Sequence, residues 1–523
     1  MNTAEEWSVI LSVIALAIPA ILAVTAVTSP RRAQLASGAV LAMALLFTVG
    51  VALLRGTHAG ATLGVRVDAV TCVMLLLVAA LGVVITRYSR TYLHGDRGLA
   101  RYQRWLLLTM TAVTALVVAN NLLFIALGWT ATSLALHQLL TFYPDRQAAL
   151  VAAHKKFLVS RLADVCLLGC LALIYRDVGS LGLDQLVTWA GAHPDLTPAT
   201  HAAAVLGVVA VALKSAQLPF HGWLIQVMEA PTPVSALLHA GVVNIGGFVL
   251  IRLAPLMAHA AVAQLLLVVI GVVSAVVAAL VMTTRVSVKV ALAWSTCAQM
   301  GFMLVQCGLG LWHLALLHLV AHSLYKAHAF LNAGTAVEAW RLGALTKRPA
   351  VPSRARFAAG ALLALASVTL WFTVLRHRFA LSPTDELAVP VLAILVSLSM
   401  VPLIARSSSN RTALAVRAIG VVLLYVGGHV AAARVMSPLG ETANLASWVL
   451  VSLGFIGLFV VKAILQLAPD GRVARAVYPW LFAGLYLDER FTRLTFRVWP
   501  PRFRRPTESP LQINVHAIVE ARS

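Results

Sequence analysis

Several basic side chains of this sequence fall inside long apolar stretches, where a charge is costly. Lys214 lies in VAVALKSAQLPFHGWL, and His318, His322 and Lys326 are spaced i, i+4 and i+8 in LWHLALLHLVAHSLYKAHAFLNAG. This spacing places the last three on one face of a helix, and imidazole titrates near neutral pH. A lysine at the centre of a bilayer costs about 2.5 to 3.5 kcal/mol on insertion scales. The pattern therefore predicts groups that take up and release protons within a membrane.

Three prolines interrupt the apolar sequence that follows Lys214, at Pro219, Pro231 and Pro233. Proline removes a backbone donor and clashes with the preceding turn, and the carbonyls that it frees need polar partners at membrane depth. A broken helix beside a buried lysine is typical of a polar ion site. The alternative is that Pro219 only kinks a long helix while the lysine amine extends to the interface.

Four further charged or titratable residues are candidates. His239 and Lys289 could connect Lys214 to the histidine stripe, although Lys289 lies near a helix end and could instead extend to the interface. Arg161 and Asp164 are three residues apart and are predicted to pair, either as a structural ion pair or as a pair that tunes the local field. No Cys, Asp or Glu accompanies the two histidines at i, i+4, so we predict no metal site in this chain.

The elements that position these residues are transmembrane helices. The 523 residues are 60% hydrophobic and 11% charged, with a mean hydropathy of +0.88. This composition excludes a water-soluble fold, and the continuous apolar runs favour helices over a barrel. The sequence predicts an all-α polytopic membrane protein of about fifteen transmembrane helices. The predicted spans are 8–28, 34–54, 68–88, 104–119, 121–141, 157–176, 203–228, 233–254, 261–283, 289–307, 312–336, 357–375, 388–405, 412–434 and 445–467.

Basic residues are concentrated in the odd-numbered loops between these spans. The first such loop carries Arg31 and Arg32, and the third carries Arg146, Lys155 and Lys156. The positive-inside rule then predicts a multi-pass protein of the bacterial inner membrane, with a periplasmic N-terminus and a cytoplasmic C-terminus. The sequence contains no P-loop, dinucleotide-binding, haem, iron-sulfur or serine-nucleophile motif. We therefore expect no enzymatic chemistry and no cofactor in this chain.

The run KSAQLPFHGWLIQVMEAPTPVSALLHAGVVNIGGFVLIR, from Lys214 to Arg252, resembles the core motif of the antiporter-like subunits of complex I and of Mrp cation/proton antiporters. The segments DAVTCVML, NNLLFIALGW, SRLADVCLL and VALAWSTCAQMGFM resemble the same family in the same order, over roughly residues 65–340. The resemblance implies two inverted five-helix repeats with broken helices, formed by spans 4 to 8 and 9 to 13. It implies that Lys214 is the central proton-carrying lysine. It also implies a polar axis along His239, Lys289, His318, His322 and Lys326.

The corresponding division of the chain has five parts. They are N-terminal helices (1–103), a first repeat (104–254), a second, inverted repeat (255–410), C-terminal helices (411–468) and a cytoplasmic tail (469–523). The tail carries Trp480, Phe491, Phe496 and Trp499 interleaved with arginines, a pattern that predicts docking either to the membrane surface or to a partner protein.

Two departures from the complex I pattern narrow the resemblance. Thr130 follows the Gly-Trp pair where complex I subunits carry a glutamate, which predicts that Lys214 lacks a carboxylate partner, and the twelfth span contains no lysine. With the tail, these features resemble the DabB family, the membrane subunits of an inorganic-carbon accumulation complex. That resemblance implies a DabA-like partner, similar to β-carbonic anhydrases and containing zinc, in which cation flow drives CO2 hydration to bicarbonate. The alternatives are a Na+ or K+/H+ antiporter subunit and a membrane anchor whose polar residues only hold helices together.

Overall fold

A computed structural model describes residues 3–53, 61–335 and 444–500, with a few isolated positions between 336 and 443. Within these ranges the helices are joined by turns and loops, and the one sheet is a short hairpin of β1 (Ala61–Thr62) and β2 (Val65–Arg66). The helices are α1 (Thr3–Thr28), α2 (Ala33–Leu53), α3 (Ala69–Tyr92), α4 (Leu99–Val118), α5 (Leu122–Leu140), α6 (Gln147–Val178), α7 (Leu183–Ala192), α8 (Pro198–Lys214), α9 (Gly222–Gln226), α10 (Thr232–Ala240), α11 (Ile245–Arg252), α12 (Ala254–Met257), α13 (Ala261–Met282), α14 (Val288–Gly308), α15 (Trp312–Leu331), α16 (Leu445–Leu467), α17 (Arg472–Phe482) and α18 (Leu487–Val498).

The long helices confirm a multi-span membrane protein. Within the described residues, nine helical segments are long and apolar enough to cross a bilayer. The helices α4 and α15 are each 20 residues long and also coincide with predicted spans, but they carry more polar side chains. The predicted spans at 357–375, 388–405 and 412–434 lie outside the described residues.

The predicted seventh and eighth spans are both discontinuous. Helix α8 ends at Lys214, and the chain then passes through Ala216, with a φ of 52°, and a cis bond before Pro219. After α9 and a 3-10 turn (Val227–Glu229), the next helix begins beside Pro231 and Pro233. Proline is tolerated in the first turn of a helix because no intrahelical bond is lost there. The predicted break at Pro219 is therefore present, whereas the other two prolines mark the start of α10.

Helix α6 is longer than the sequence suggested. It begins at Gln147, ten residues before the predicted span at 157–176, and contains 32 residues. Four alanines in its first seven residues favour the additional turns. Lys155 and Lys156 are consequently buried inside the helix bundle. Their assignment to a loop was wrong, and their charges need an explanation within the bundle.

Two glycines bring α13 and α14 into backbone contact. A Cβ atom at Gly301 would lie 2.7 Å from the carbonyl oxygen of Gly271 and 2.8 Å from the amide nitrogen of Ala275. No side chain larger than hydrogen fits there. Small residues at such positions allow close helix packing in membranes, so these two helices form one tightly packed pair.

An ion-pair network connects the N-terminal end of α3 with the C-terminal end of α11. Asp68 caps α3 through the amide of Thr71 and pairs with Arg252, at 2.5 Å, and with Arg66, at 2.9 Å. Arg66 also contacts Asp184, 2.6 Å away. Burial alone would raise the pKa of Asp68, but the neighbouring Arg252 and Arg66 guanidinium groups hold it well below its usual value.

Candidate ion-translocation site

A largely buried carboxylate lies at the centre of the candidate site. Asp164 on α6 contacts the Nζ of Lys214 through Oδ1, at 2.6 Å, and Arg161 through Oδ2, at 2.8 Å. The hydroxyl of Thr130 donates to the same Oδ1 at 3.0 Å, and the Lys214 amine lies 4.4 Å from the ring centroid of Trp129. The Lys214 side chain is only 3% exposed and that of Asp164 14%. One carboxylate is therefore shared by two cations in a poorly solvated environment.

The predicted loss of a carboxylate partner for Lys214 was wrong. The partner comes from α6, fifty residues earlier in the chain, instead of from α5. Thr130 does not leave a gap in this arrangement, because its hydroxyl supports the Asp164 carboxylate. The expected i, i+3 contact between Arg161 and Asp164 is present, but the sequence did not indicate that Lys214 joins it.

His239 and Lys289 both contact polar groups of neighbouring helices. The Nδ1 of His239 is 3.1 Å from the hydroxyl of Thr296 on α14, and its ring stacks on Phe330 of α15 with centroids 4.3 Å apart. Lys289 donates to the hydroxyl of Thr232 at the start of α10, at 2.9 Å. The Lys289 amine therefore reaches an adjacent helix within the bundle.

The three basic residues of α15 share a face, as their spacing predicts, and this face contacts α14. His318 Nδ1 lies 2.8 Å from the side-chain oxygen of Gln306, and Lys326 donates to the carbonyl of Leu292 at 2.8 Å. The rings of His318 and His322 are 6.1 Å apart. Neither ring nitrogen of His322 has a hydrogen-bond partner within the described residues. Lys326 is fully buried and forms no ion pair with any described residue.

A polar bridge that the sequence analysis missed connects the Lys214 region to α15. Ser215 follows Lys214 directly, and its hydroxyl donates to the carbonyl of Val243 at 3.4 Å. The next residue, Asn244, donates to Ser323 at 2.7 Å. Ser323 is adjacent to His322 in the chain. The bridge runs through the backbone break between α10 and α11, so periodicity within one helix could not reveal it.

The tail packs against its own chain. Asp488 of α18 pairs with Lys155 at 2.5 Å and accepts a hydrogen bond from Gln226 at 2.6 Å. Phe491 meets Phe220 edge to face, with centroids 5.6 Å apart. We call the side of the bundle at which α6 begins, and on which α18 lies, the tail side.

The four aromatic residues predicted to dock the tail therefore differ in role. Phe491 contacts this chain, whereas Trp480 is 56% exposed, Trp499 is 59% exposed and Phe496 is exposed to a lesser extent. His221 is fully buried, with its ring centroid 4.7 Å from that of Trp294. His221 and Lys155 are polar residues of the bundle that sequence reasoning missed.

Comparison with known proteins decides the family. Residues 119–347 match the model of the NADH:quinone oxidoreductase/Mrp antiporter transmembrane region, and residues 56–103 match that of the N-terminus of complex I chain 5. The chain is 42% identical to the "probable inorganic carbon transporter subunit DabB" of Hydrogenovibrio crunogenus, over 84% of both chains. The chain belongs to the DabB family. A DabB2 subunit of Halothiobacillus neapolitanus is 38% identical over 96% of both chains.

The chain is also similar to complex I and Mrp proteins, which lie outside the DabB family. Subunit L of the NADH-quinone oxidoreductase of Rhodobacter capsulatus is 34% identical over 53% of this chain and 41% of its own length. A chain of the Mrp complex from Dietzia sp. has a similar fold, with a TM-score of 0.61 at 23% identity. The match covers 98% of this chain and 62% of the Mrp chain. The resemblance to DabB and to antiporter-like subunits is thus confirmed.

Proposed function

We propose that this chain is the proton-conducting, energy-coupling membrane subunit of an inorganic-carbon transport complex. In this proposal proton flow through the chain drives hydration of CO2 to bicarbonate in a DabA-like, zinc-containing partner similar to carbonic anhydrases. Membership of the DabB family supports the assignment to inorganic-carbon transport. The buried amines and imidazoles of α8, α10 and α15 support the assignment of a proton path.

The shared carboxylate of Asp164 carries the proposal. Its two cationic neighbours, Lys214 and Arg161, lie 2.6 Å and 2.8 Å away. A carboxylate compensates one positive charge, so closer approach of Arg161 weakens the stabilisation of a charged Lys214 amine and favours release of its proton. Lysine can respond in this way because its charge is removable, whereas arginine remains protonated. The cluster is therefore suited to reversible protonation of Lys214, with Asp164 and Arg161 as the pair that modulates it.

Beyond Lys214, the bridge through Ser215 and Asn244 leads to the α15 stripe. We assign His318, His322 and Lys326 to the next part of the path, with His239 and Lys289 beside it. Water molecules would complete the gaps between these side chains. We assign the tail side to the cytoplasm, in line with the exposed Arg146 just before α6. The Asp68 end of α3 and the Arg252 end of α11 are then assigned to the periplasm of a bacterial inner membrane.

Replacement of Lys214 tests the proposal. The Lys214→Ala variant should insert at the wild-type level, yet inorganic-carbon accumulation in cells and proton flux in membrane vesicles should be lost. Lys462→Ala is the matched control, because Lys462 lies in a span on the peripheral helix α16, which packs on α13 and α17. Carbon accumulation at the wild-type rate in the Lys214→Ala variant, at equal expression, would refute the proposal.

A second function is a Na+ or K+/H+ antiporter subunit in a complex I or Mrp type of assembly. The match to the antiporter family model favours it. Purification of the complex in mild detergent separates the two functions. One soluble zinc-containing partner supports the carbon-transport assembly, and a set of several membrane subunits supports the antiporter assembly.

A further inference from the structure

The tail helix places a carboxylate inside the tail side of the bundle. Asp488 contacts the Lys155 amine at 2.5 Å and the Gln226 amide at 2.6 Å. Lys155 also donates to Thr492, one turn further along α18, at 2.7 Å. A Cβ atom at Gly222 would overlap the Asp488 carboxylate, so the absence of a side chain at this position makes room for it. The fit between α18 and the bundle is therefore specific.

Helix α6 carries both Lys155, which contacts the tail, and the central carboxylate of Asp164. Lys156, Ser160 and Asp164 follow at i, i+4 and i+8 on α6 and share a face. Lys156 is buried and donates to the carbonyl and the hydroxyl of Ser133, at 2.6 Å and 2.8 Å. Asp164 lies nine positions after Lys155 on α6, a rise of about 13 Å. A column of polar groups thus extends along α6 from the tail to the Lys214 site.

At the tail end of this column the carboxylate is partly exposed and the lysine is buried. The Asp488 side chain is 23% exposed, whereas that of Lys155 is completely buried. Gln226, which donates to Asp488, belongs to the segment that follows the helix break. Glu489, the other acidic residue near Lys155, is exposed on the outer side of α18. Asp488 is thus a partly exposed carboxylate that also contacts the buried column.

We propose that Asp488 and Lys155 form the proton-loading site of the pathway on the tail side, so that the tail supplies a residue of the ion path as well as a docking surface. The Asp488 carboxylate accepts a proton from a hydronium ion at the tail-side surface and leaves water behind. The proton then passes inward along the polar groups of α6 towards Asp164 and Lys214. This inference rests on the proposed function, because it needs a proton path through Lys214.

A neutral replacement of the whole pair separates a transport role from a structural one. Substitution of a buried ion pair by apolar residues of similar volume is often neutral or stabilising, whereas removal of one partner leaves an uncompensated charge. The Lys155→Met/Asp488→Leu double variant should therefore assemble with its partner. We expect it to lose proton flux in membrane vesicles, followed with a pH-sensitive dye, and to lose carbon accumulation in cells. Glu489→Gln, which neutralises the adjacent exposed acid, is the matched control and should retain both.

The full chain is expressed with its partner subunit, and Lys214→Ala is measured beside the double variant. Loss of flux in both variants supports the loading site. Wild-type flux in the double variant with none in Lys214→Ala overturns the loading site alone, and the pair is then structural. Wild-type flux in Lys214→Ala overturns the proposed function itself. If the double-variant protein is not present in the membrane at the wild-type level, the Asp488→Asn variant is measured instead, because the amide keeps the size of the carboxylate. Wild-type flux in Asp488→Asn also overturns the loading site.

Discussion

Removal of the Asp164 carboxylate by Asp164→Asn should both destabilise the protein and stop transport. Opposite charges 2.6 Å apart attract by about 6 kcal/mol at an effective dielectric constant of about 20. Desolvation offsets part of this attraction, and loss of one partner of a buried pair typically costs about 3 to 5 kcal/mol. The amide would leave the Lys214 and Arg161 cations facing each other in a buried site. We expect a lower unfolding temperature in detergent and no proton flux in vesicles.

A second substitution should restore transport to this variant. Thr130 lies on α5 with its hydroxyl 3.0 Å from the Asp164 carboxylate, at the position where the resemblance to complex I subunits implies a glutamate. The Thr130→Glu/Asp164→Asn double variant should return a carboxylate to Lys214 from the other helix and recover both stability and flux. Thr130→Gln/Asp164→Asn, which adds an amide of the same size, is the control. Wild-type flux in Asp164→Asn alone would refute the assigned role of this carboxylate.

Three further perturbations have defined outcomes. His322→Gln keeps a polar side chain of similar size that cannot titrate, so flux should be lost with an unchanged unfolding temperature, and retained flux would favour a purely structural stripe. Asp68 has a lowered pKa in the folded protein, so its ion pairs contribute stability above the unfolded-state pKa of about 3.9 and lose it progressively as the pH falls below that value. The unfolding temperature should therefore decrease on acidification below about pH 4 in the wild type, and a decrease of the same size in Asp68→Asn would show that Asp68 is not its source. Gly222→Ala places a methyl group where the Asp488 carboxylate lies, so trypsin should cleave within α18 about tenfold faster or more. Gly191→Ala, where a Cβ meets no atom within 4 Å, should leave this cleavage rate unchanged.

The membrane architecture could be predicted from the sequence because apolar length alone determines which segments span a bilayer. The face shared by His318, His322 and Lys326 followed from helical periodicity, and the i, i+3 pair of Arg161 and Asp164 followed from the same geometry. These are local relations. They depend on neighbours within two turns of one helix, which a sequence displays directly.

The incorrect predictions concern contacts between residues that are distant in the sequence. Asp164 and Lys214 are separated by an intervening helix, and Asp488 reaches Lys155 from the far end of the chain. Lys155 was assigned to a loop because two adjacent lysines next to an apolar run usually mark a membrane boundary. Only tertiary packing shows that the tail supplies a carboxylate there.

The backbone contact between Gly271 and Gly301 also limits how the molecule can move. Two helices without intervening side chains have no room to slide or rotate against each other, so we expect α13 and α14 to behave as a single rigid rod. Lys289 and Thr296 belong to this rigid helix pair and would move with it. A conformational change that opens the path to one side of the membrane and then to the other must therefore use hinges outside this helix pair. The non-helical backbone at Ala216, between α8 and α9, and at Gly241, after α10, can act as such hinges.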